Sequence, residues 1–167
     1  NGSDLYGFRQ SNCSLMQISS NNTNTTIKCW GTSGPLVFTP NVNESSTPLS
    51  LGVEYKRSLG FPVMAIGEKH TCIVGKTAVN CWNTFLGNPN YGQYGTNPDD
   101  RGIYSVSNSQ DIIGVSVGQN HSCGITTGGK IQCWGSNDKG RLGIPVSTAS
   151  SSSAVEVKGL VGVTEIS

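Results

Sequence analysis

The most ordered pattern in the chain is a short alternation of apolar and polar residues that starts at a cysteine, turns, and returns to Cys-Trp. In Cys123-Gly124-Ile125 and Lys130-Ile131-Gln132-Cys133-Trp134, two such arms flank Thr126-Thr127-Gly128-Gly129, a glycine-containing turn, so the pattern predicts a β-hairpin. Side chains alternate across a strand, and this register sets Cys123 opposite Cys133 and Ile125 opposite Ile131 on one face. The same reading of Cys72 to Trp82 sets Cys72 against Cys81 and Val74 against Val79 around Lys76-Thr77. A third version runs from Cys13 to Trp30 with a longer polar tip, Ser19-Ser20-Asn21-Asn22-Thr23-Asn24-Thr25-Thr26.

These hairpins use all six cysteines and all three tryptophans, and Trp30, Trp82 and Trp134 are separated by 52 residues in each interval. A leader also recurs: the segments from Gly60 to Cys72 and from Gly114 to Cys123 both end in Gly-x-x-His-Ser/Thr-Cys, which predicts one further strand per unit. Each Trp adjoins a Cys and so points to the opposite face, which leaves both faces of the hairpin bulky and apolar. Small antiparallel sheets covered on both sides and repeated along the chain fit β-propeller blades, each of about four strands. The predicted class is all-β, with units at 1–52, 53–106 and 107–154 and with 155–167 as the leading strand of a further unit. Glycine-rich turns follow the tryptophans, clearest from Trp134 to Gly143 and looser in Tyr91-Gly92-Gln93-Tyr94-Gly95, and the serine-rich stretch 147–154 reads as a flexible loop between units. Opposed cysteines at one site per hairpin predict the bridges Cys13–Cys29, Cys72–Cys81 and Cys123–Cys133, each removing about 2–3 kcal/mol of unfolded-state freedom.

Composition narrows the function classes. Across 167 residues, 11 basic and 10 acidic side chains leave a net charge of +1, without the basic excess of a nucleic-acid binder. No run of about 18 apolar residues is present to span a bilayer. The opening Asn1-Gly2-Ser3-Asp4, without a Met, reads as a processed or excerpted start. Six cysteines imply disulfides outside the cell, or thiols and metal ligands in the cytosol. The sequons at Asn1, Asn12, Asn21, Asn24, Asn43 and Asn120 exceed the roughly three expected by chance. Two of them, Asn21 and Asn24, sit in a polar loop that a glycosyltransferase can reach. The expectation is an extracellular or cell-surface protein carrying N-linked glycans.

The candidate chemical groups each have a plain structural explanation. His70 and His121, the only histidines, occupy the same repeat position, which predicts a structural hydrogen bond rather than catalysis. His-x-Cys followed by Cys offers three zinc ligands per copy, but the cysteine spacing is not that of a zinc finger, and Ser11 takes the histidine position in the first copy. A Cys–His nucleophile is excluded once the thiol is bridged. Asp99-Asp100-Arg101 reads as a solvated turn that at most joins a binding rim, and the glycine-rich stretches lack a phosphate-binding order. No catalytic residue, metal or cofactor is expected.

The stretch VGQNHSCGITTGGKIQCWGSNDKGRLG, Val117 to Gly143, closely resembles a repeat of the regulator of chromosome condensation family, whose roughly 50-residue units form seven-bladed propellers. The middle copy departs at Asn83, where glycine would follow the Trp, and the first departs at Ser11. The paired cysteines are more similar to those of secreted members, such as the ectodomains of crinkly-type plant receptor kinases, than to the nuclear exchange factor. The resemblance implies about three blades of a propeller that is incomplete unless extended or oligomeric. It also implies a non-enzymatic extracellular domain that binds proteins through the loops around 32–57, 84–109 and 144–158. The alternative is a structural glycoprotein subunit that self-associates head to tail through exposed strand edges into a ring or filament. Guanine-nucleotide exchange is a third reading; it requires a reducing compartment and leaves the cysteine pairs unexplained.

Overall fold

All three Cys-to-Cys-Trp segments fold as hairpins, and each becomes the middle of a sheet. The computed structural model describes residues 4–8, 11–17, 25–32, 44–50, 55, 60–84, 89–98 and 102–167. The first sheet joins β1 (Asp4–Phe8), β2 (Ser11–Gln17), β3 (Thr25–Thr32) and β4 (Glu44–Ser50) in sequence order. The second contains β5 (Met64–Ile66), β6 (His70–Val74), β7 (Val79–Asn83), β8 (Asn97–Pro98) and β9 (Tyr104–Ser105), ordered β5-β6-β7-β9-β8. The third joins β10 (Ile112–Val117), β11 (His121–Thr126), β12 (Ile131–Ser136) and β13 (Ser150–Glu156) in order. All strand pairs within the sheets are antiparallel. The fifth strand of the second sheet comes from the longer excursion after Trp82, which folds Asn97–Pro98 back against Tyr104–Ser105.

Registers follow the alternation: Cys13 pairs with Cys29, Cys72 with Cys81 and Cys123 with Cys133, flanked by Leu15–Ile27, Val74–Val79 and Ile125–Ile131. Disulfides join the three cysteine pairs, closing separations of 16, 9 and 10 residues, and no cysteine is free. The first strands lie side by side, β1 against β5 and β5 against β10, so the sheets stack around a common inner edge. Val115 N–H donates to Pro62 O at 2.8 Å across that edge. Gly67 makes the approach possible, because a Cβ there would stand 2.9 Å from Val117 Cγ2 of the next sheet.

Each sheet has a forward face carrying the cysteines and a rear face carrying the tryptophan. Cys13, Leu15, Ile27 and Cys29 of the first forward face are buried, as are Cys72, Val74, Val79 and Cys81 of the second. With Trp82 and Trp134 they belong to one apolar cluster running through all three sheets. Burying each such aliphatic or aromatic side chain contributes roughly 1.5–3 kcal/mol. A smaller cluster, Ile125, Ile131, Cys133 and Leu142, covers the forward face of the third sheet.

Two expectations are corrected. The serine-rich stretch 147–154 is not simply a loop: Ser150–Glu156 is the outer strand β13, paired with β12. Its residues are mostly half-buried or exposed, Ala154 apart, so no apolar alternation marks it. The strand is held by partners, including Ala154 N–H to Ser107 O at 2.9 Å and a parallel bridge between Ser107 and Ser153. The unit boundary at 154/155 consequently falls inside β13, and residues 157–167 form no strand. This segment folds back on the third sheet. Here Val163 N–H instead donates to Gly129 O at 2.9 Å, while Val163 and Ile166 pack on the smaller cluster.

Candidate functional site

The side chains singled out by the repeat gather at the seam between the second and third sheets. In both leaders the Gly-x-x-His turn closes alike: Gly67 N–H donates to His70 O, and Gly118 N–H to His121 O, each at 2.8 Å. This turn starts the cysteine strand at the histidine and places the imidazole on the forward face, two residues before the cysteine. His70 is fully buried, and its Nε2 lies 2.6 Å from Ser122 Oγ of the following sheet. Ser122 Oγ is also 3.5 Å from Cys72 Sγ, and Lys69 Nζ donates to Asn120 Oδ1 at 3.0 Å. On the same seam Trp134 Nε1–H donates to Gln93 O at 3.1 Å. The Tyr94 ring stands edge-on to His70 with centroids 5.9 Å apart.

Burial, with a smaller contribution from the charge of His121, pushes the His70 pKa from 6.5 down to about 3. The imidazole is therefore neutral and its bond to Ser122 is a neutral one. A histidine beside a serine invites a nucleophilic reading, but both side chains have 0% exposure, Cys72 is locked in its bridge, and no substrate reaches the pair. The arrangement does one thing well: it ties two sheets together through groups that water cannot satisfy.

At the equivalent position of the third sheet, His121 is only half-buried. Its ring lies over Gly118, where any Cβ would collide with it, and its buried Nδ1 makes no hydrogen bond among the described residues. It lines a half-open cleft of about 150 Å³ with Ser116, Val117, Gly118, Cys123 and Ser167. Burial, and next the charge of Arg141, hold its pKa below the usual histidine value. At the other end of the stack, Trp30 is half-buried, whereas Trp82 and Trp134 are at 0% exposure.

After β12 the chain is fastened by Asn137, which is buried. Its Nδ2 donates to Thr148 O at 2.8 Å and Pro145 O at 3.0 Å, with Ile144 O at 3.3 Å, and its Oδ1 accepts from Leu142 N–H at 3.0 Å. This hub, together with Ser122, Lys69 and the Gln93 carbonyl, was missed by sequence reasoning. The hydroxyl before each second-copy and third-copy cysteine was a usable signal for Ser122. Nothing local marks the partner, which lies 52 residues away.

Of the predicted glycosylation sites, Asn1, Asn21, Asn24 and Asn43 lie outside the described residues, as does Asp99-Asp100-Arg101. Asn12 lies in β2 opposite Trp30, and Asn120 sits half-buried in the turn before β11, holding Lys69. No group of three or more His, Cys, Asp or Glu side chains suited to a metal ion occurs among the described residues. No helix among them is long and apolar enough to cross a membrane.

Residues 112–141 match the family model for the regulator of chromosome condensation repeat. No curated protein sequence matches the chain. Among solved structures it is similar to Prp20p from Saccharomyces cerevisiae, a protein studied for its binding to Gsp1p and histones, with TM-score 0.62 and 19% identity over 92% of this chain and 35% of that one. The yeast protein bound to Kap60 gives TM-score 0.61 and 19% identity over 92% and 34%. Human WBSCR16 gives 0.59 and 19% over 88% and 38%. The chain thus spans about a third of the length of these relatives. The regulator of chromosome condensation repeat is thus matched in the third sheet, and the structural likeness, with the 52-residue period and the stapled hairpins, gives all three sheets the fold of β-propeller blades.

Proposed function

We propose that the chain is a non-enzymatic recognition domain of the extracellular or cell-surface space, in which stapled blades hold inter-strand loops in place for binding a protein partner. The observation that carries this reading is the pairing of all six cysteines, one bridge at the centre of each blade. Such bridges persist in oxidising compartments and are rare in the cytosol. They stiffen short hairpins whose buried histidine serves packing rather than chemistry, so the variable part of each unit is the excursion after the tryptophan. Protein binding by Prp20p supports this use of the fold.

Two measurements test the reading. Non-reducing peptide mapping of the natural protein is expected to return three bridged peptide pairs, and free thiols would remove the extracellular assignment. The purified domain is expected to be retained by cells that display its partner, and replacement of the exposed loop side chains Tyr91 and Val146 by Asp is expected to abolish retention. Undiminished retention after that replacement would overturn the assignment of binding to the loops.

A further inference from the structure

We infer that Asn120 is an N-glycosylation site whose glycan is attached before the second and third blades dock and then stands at their seam. The inference rests on the extracellular reading above, because the sugar donor, a lipid-linked diphosphate oligosaccharide, and its transferase work in the secretory pathway.

The acceptor sequence is Asn120-His121-Ser122. Asn120 lies in the turn between β10 and β11, beside the exposed Gln119, and is itself half-buried. Its Oδ1 accepts from Lys69 Nζ at 3.0 Å. An ammonium donates and never accepts, so this contact fixes which amide atom is the oxygen and turns Nδ2 away from Lys69. In the transfer, Nδ2 attacks the anomeric carbon of the donor, and the C–O bond to the diphosphate breaks with its electron pair leaving on the lipid diphosphate. One of the two amide protons passes to a base of the transferase. The product keeps one N–H and the carbonyl, so the bond from Lys69 survives the modification.

Access to Asn120 does not depend on the third blade standing last. Lys69 holds the corresponding place in the second blade: its carbonyl accepts from Thr84 N–H at 2.9 Å, as that of Asn120 accepts from Ser136 N–H at 2.8 Å. With the third blade packed beside it, Lys69 is still only half-buried. A blade packed in the same way beside the third would leave position 120 equally accessible.

Ser122 sets the order of events. The transferase reads the hydroxyl two residues after the asparagine. In the folded chain that residue has 0% exposure, and its Oγ lies 2.6 Å from His70 Nε2 of the second blade. The acceptor sequence is therefore open to the transferase only until the seam closes. The same hydroxyl serves the modification first and the docking of the blades afterwards.

The test uses the whole chain. Peptide mapping of the chain secreted by a eukaryotic host, with glycan release by a peptide N-glycosidase in heavy-oxygen water, is expected to mark Asn120 as occupied in most copies. In a second arm, oligosaccharyltransferase and its lipid-linked donor are given the unglycosylated whole chain, either bridged or reduced and alkylated. The reduced chain is expected to be modified at Asn120, and the bridged chain at least about tenfold more slowly, because the seam must open first. A bare Asn120 in the secreted chain would overturn the site, and equal rates in the second arm would overturn the order. Intact bridges beside a bare Asn120 would leave the extracellular reading standing, whereas free thiols in the secreted chain would remove that reading and this inference with it.

Discussion

His70 and His121 have the same turn before them, the same disulfide two residues after them and the same place on a forward face, yet their surroundings differ. His70 is sealed by Ser122, Tyr94 and the rest of the third blade, and its imidazole is held neutral. His121 looks into a cleft that no further blade covers among the described residues. The tryptophans show the same contrast in reverse order, Trp134 bonded into the blade before it and Trp30 half-buried at the head of the stack. In this molecule the repeat sets what a residue offers, and the neighbouring blade sets what it experiences. Nearest-neighbour contacts of this kind are how stacked repeats gain stability.

The comparison is tested most strongly at the tryptophans. Trp134→Ala is expected to cost about 3–5 kcal/mol in urea unfolding, because it removes a fully buried indole and its bond to Gln93 O. Trp30→Ala, at a half-buried position, is expected to cost at most about 2 kcal/mol. Equal costs would show that the first blade is as well covered as the third.

Acid tests the histidines. Above pH 6.5 His70 is neutral both folded and unfolded, so its contribution to stability is complete. Between 6.5 and about 3 the unfolded chain takes up a proton that the folded site refuses, and stability falls over that window. Urea titrations at pH 7 and pH 4 are expected to show this loss, and His70→Asn to flatten it. His121→Asn is expected to alter the slope less, because its ring is only half-buried.

The two hydroxyls that precede cysteines sharpen the contrast further. Ser122→Ala leaves the buried His70 Nε2 without its partner, with an expected loss of about 1–3 kcal/mol by urea unfolding. Thr71 occupies the same position in the second blade, opposite Trp82, and its buried Oγ1 has no hydrogen bond among the described residues. In the preceding copy the histidine position is Ser11, a side chain far shorter than imidazole. Thr71→Val is therefore expected to leave stability unchanged or to raise it by up to about 1 kcal/mol. A loss as large as that of Ser122→Ala would show that Thr71 is bonded in solution.

Much of the frame was legible because it is local. Alternation on either side of a short turn places Cys72 against Cys81 and Cys123 against Cys133, and adjacency to those cysteines sends each Trp to the other face. The outer strand β13 was not legible, since a serine-rich segment at a sheet edge carries no apolar pattern and is a strand only through what it pairs with. The Asn137 hub escaped for a related reason: an asparagine in a glycine-rich turn looks like any turn former until the loop carbonyls converge on it.

By itself the sequence determined the hairpins, their bridges, the 52-residue period and the division of each sheet into a cysteine face and a tryptophan face. Those properties follow from side-chain alternation and from chain closures of 9 to 16 residues. Only the tertiary structure decided which repeated groups are satisfied and which stand open, because that depends on a blade 52 residues away being packed alongside. Burial, hydrogen bonding and the acidity of an imidazole belong to the seam between blades, and a seam exists only once the chain has stacked.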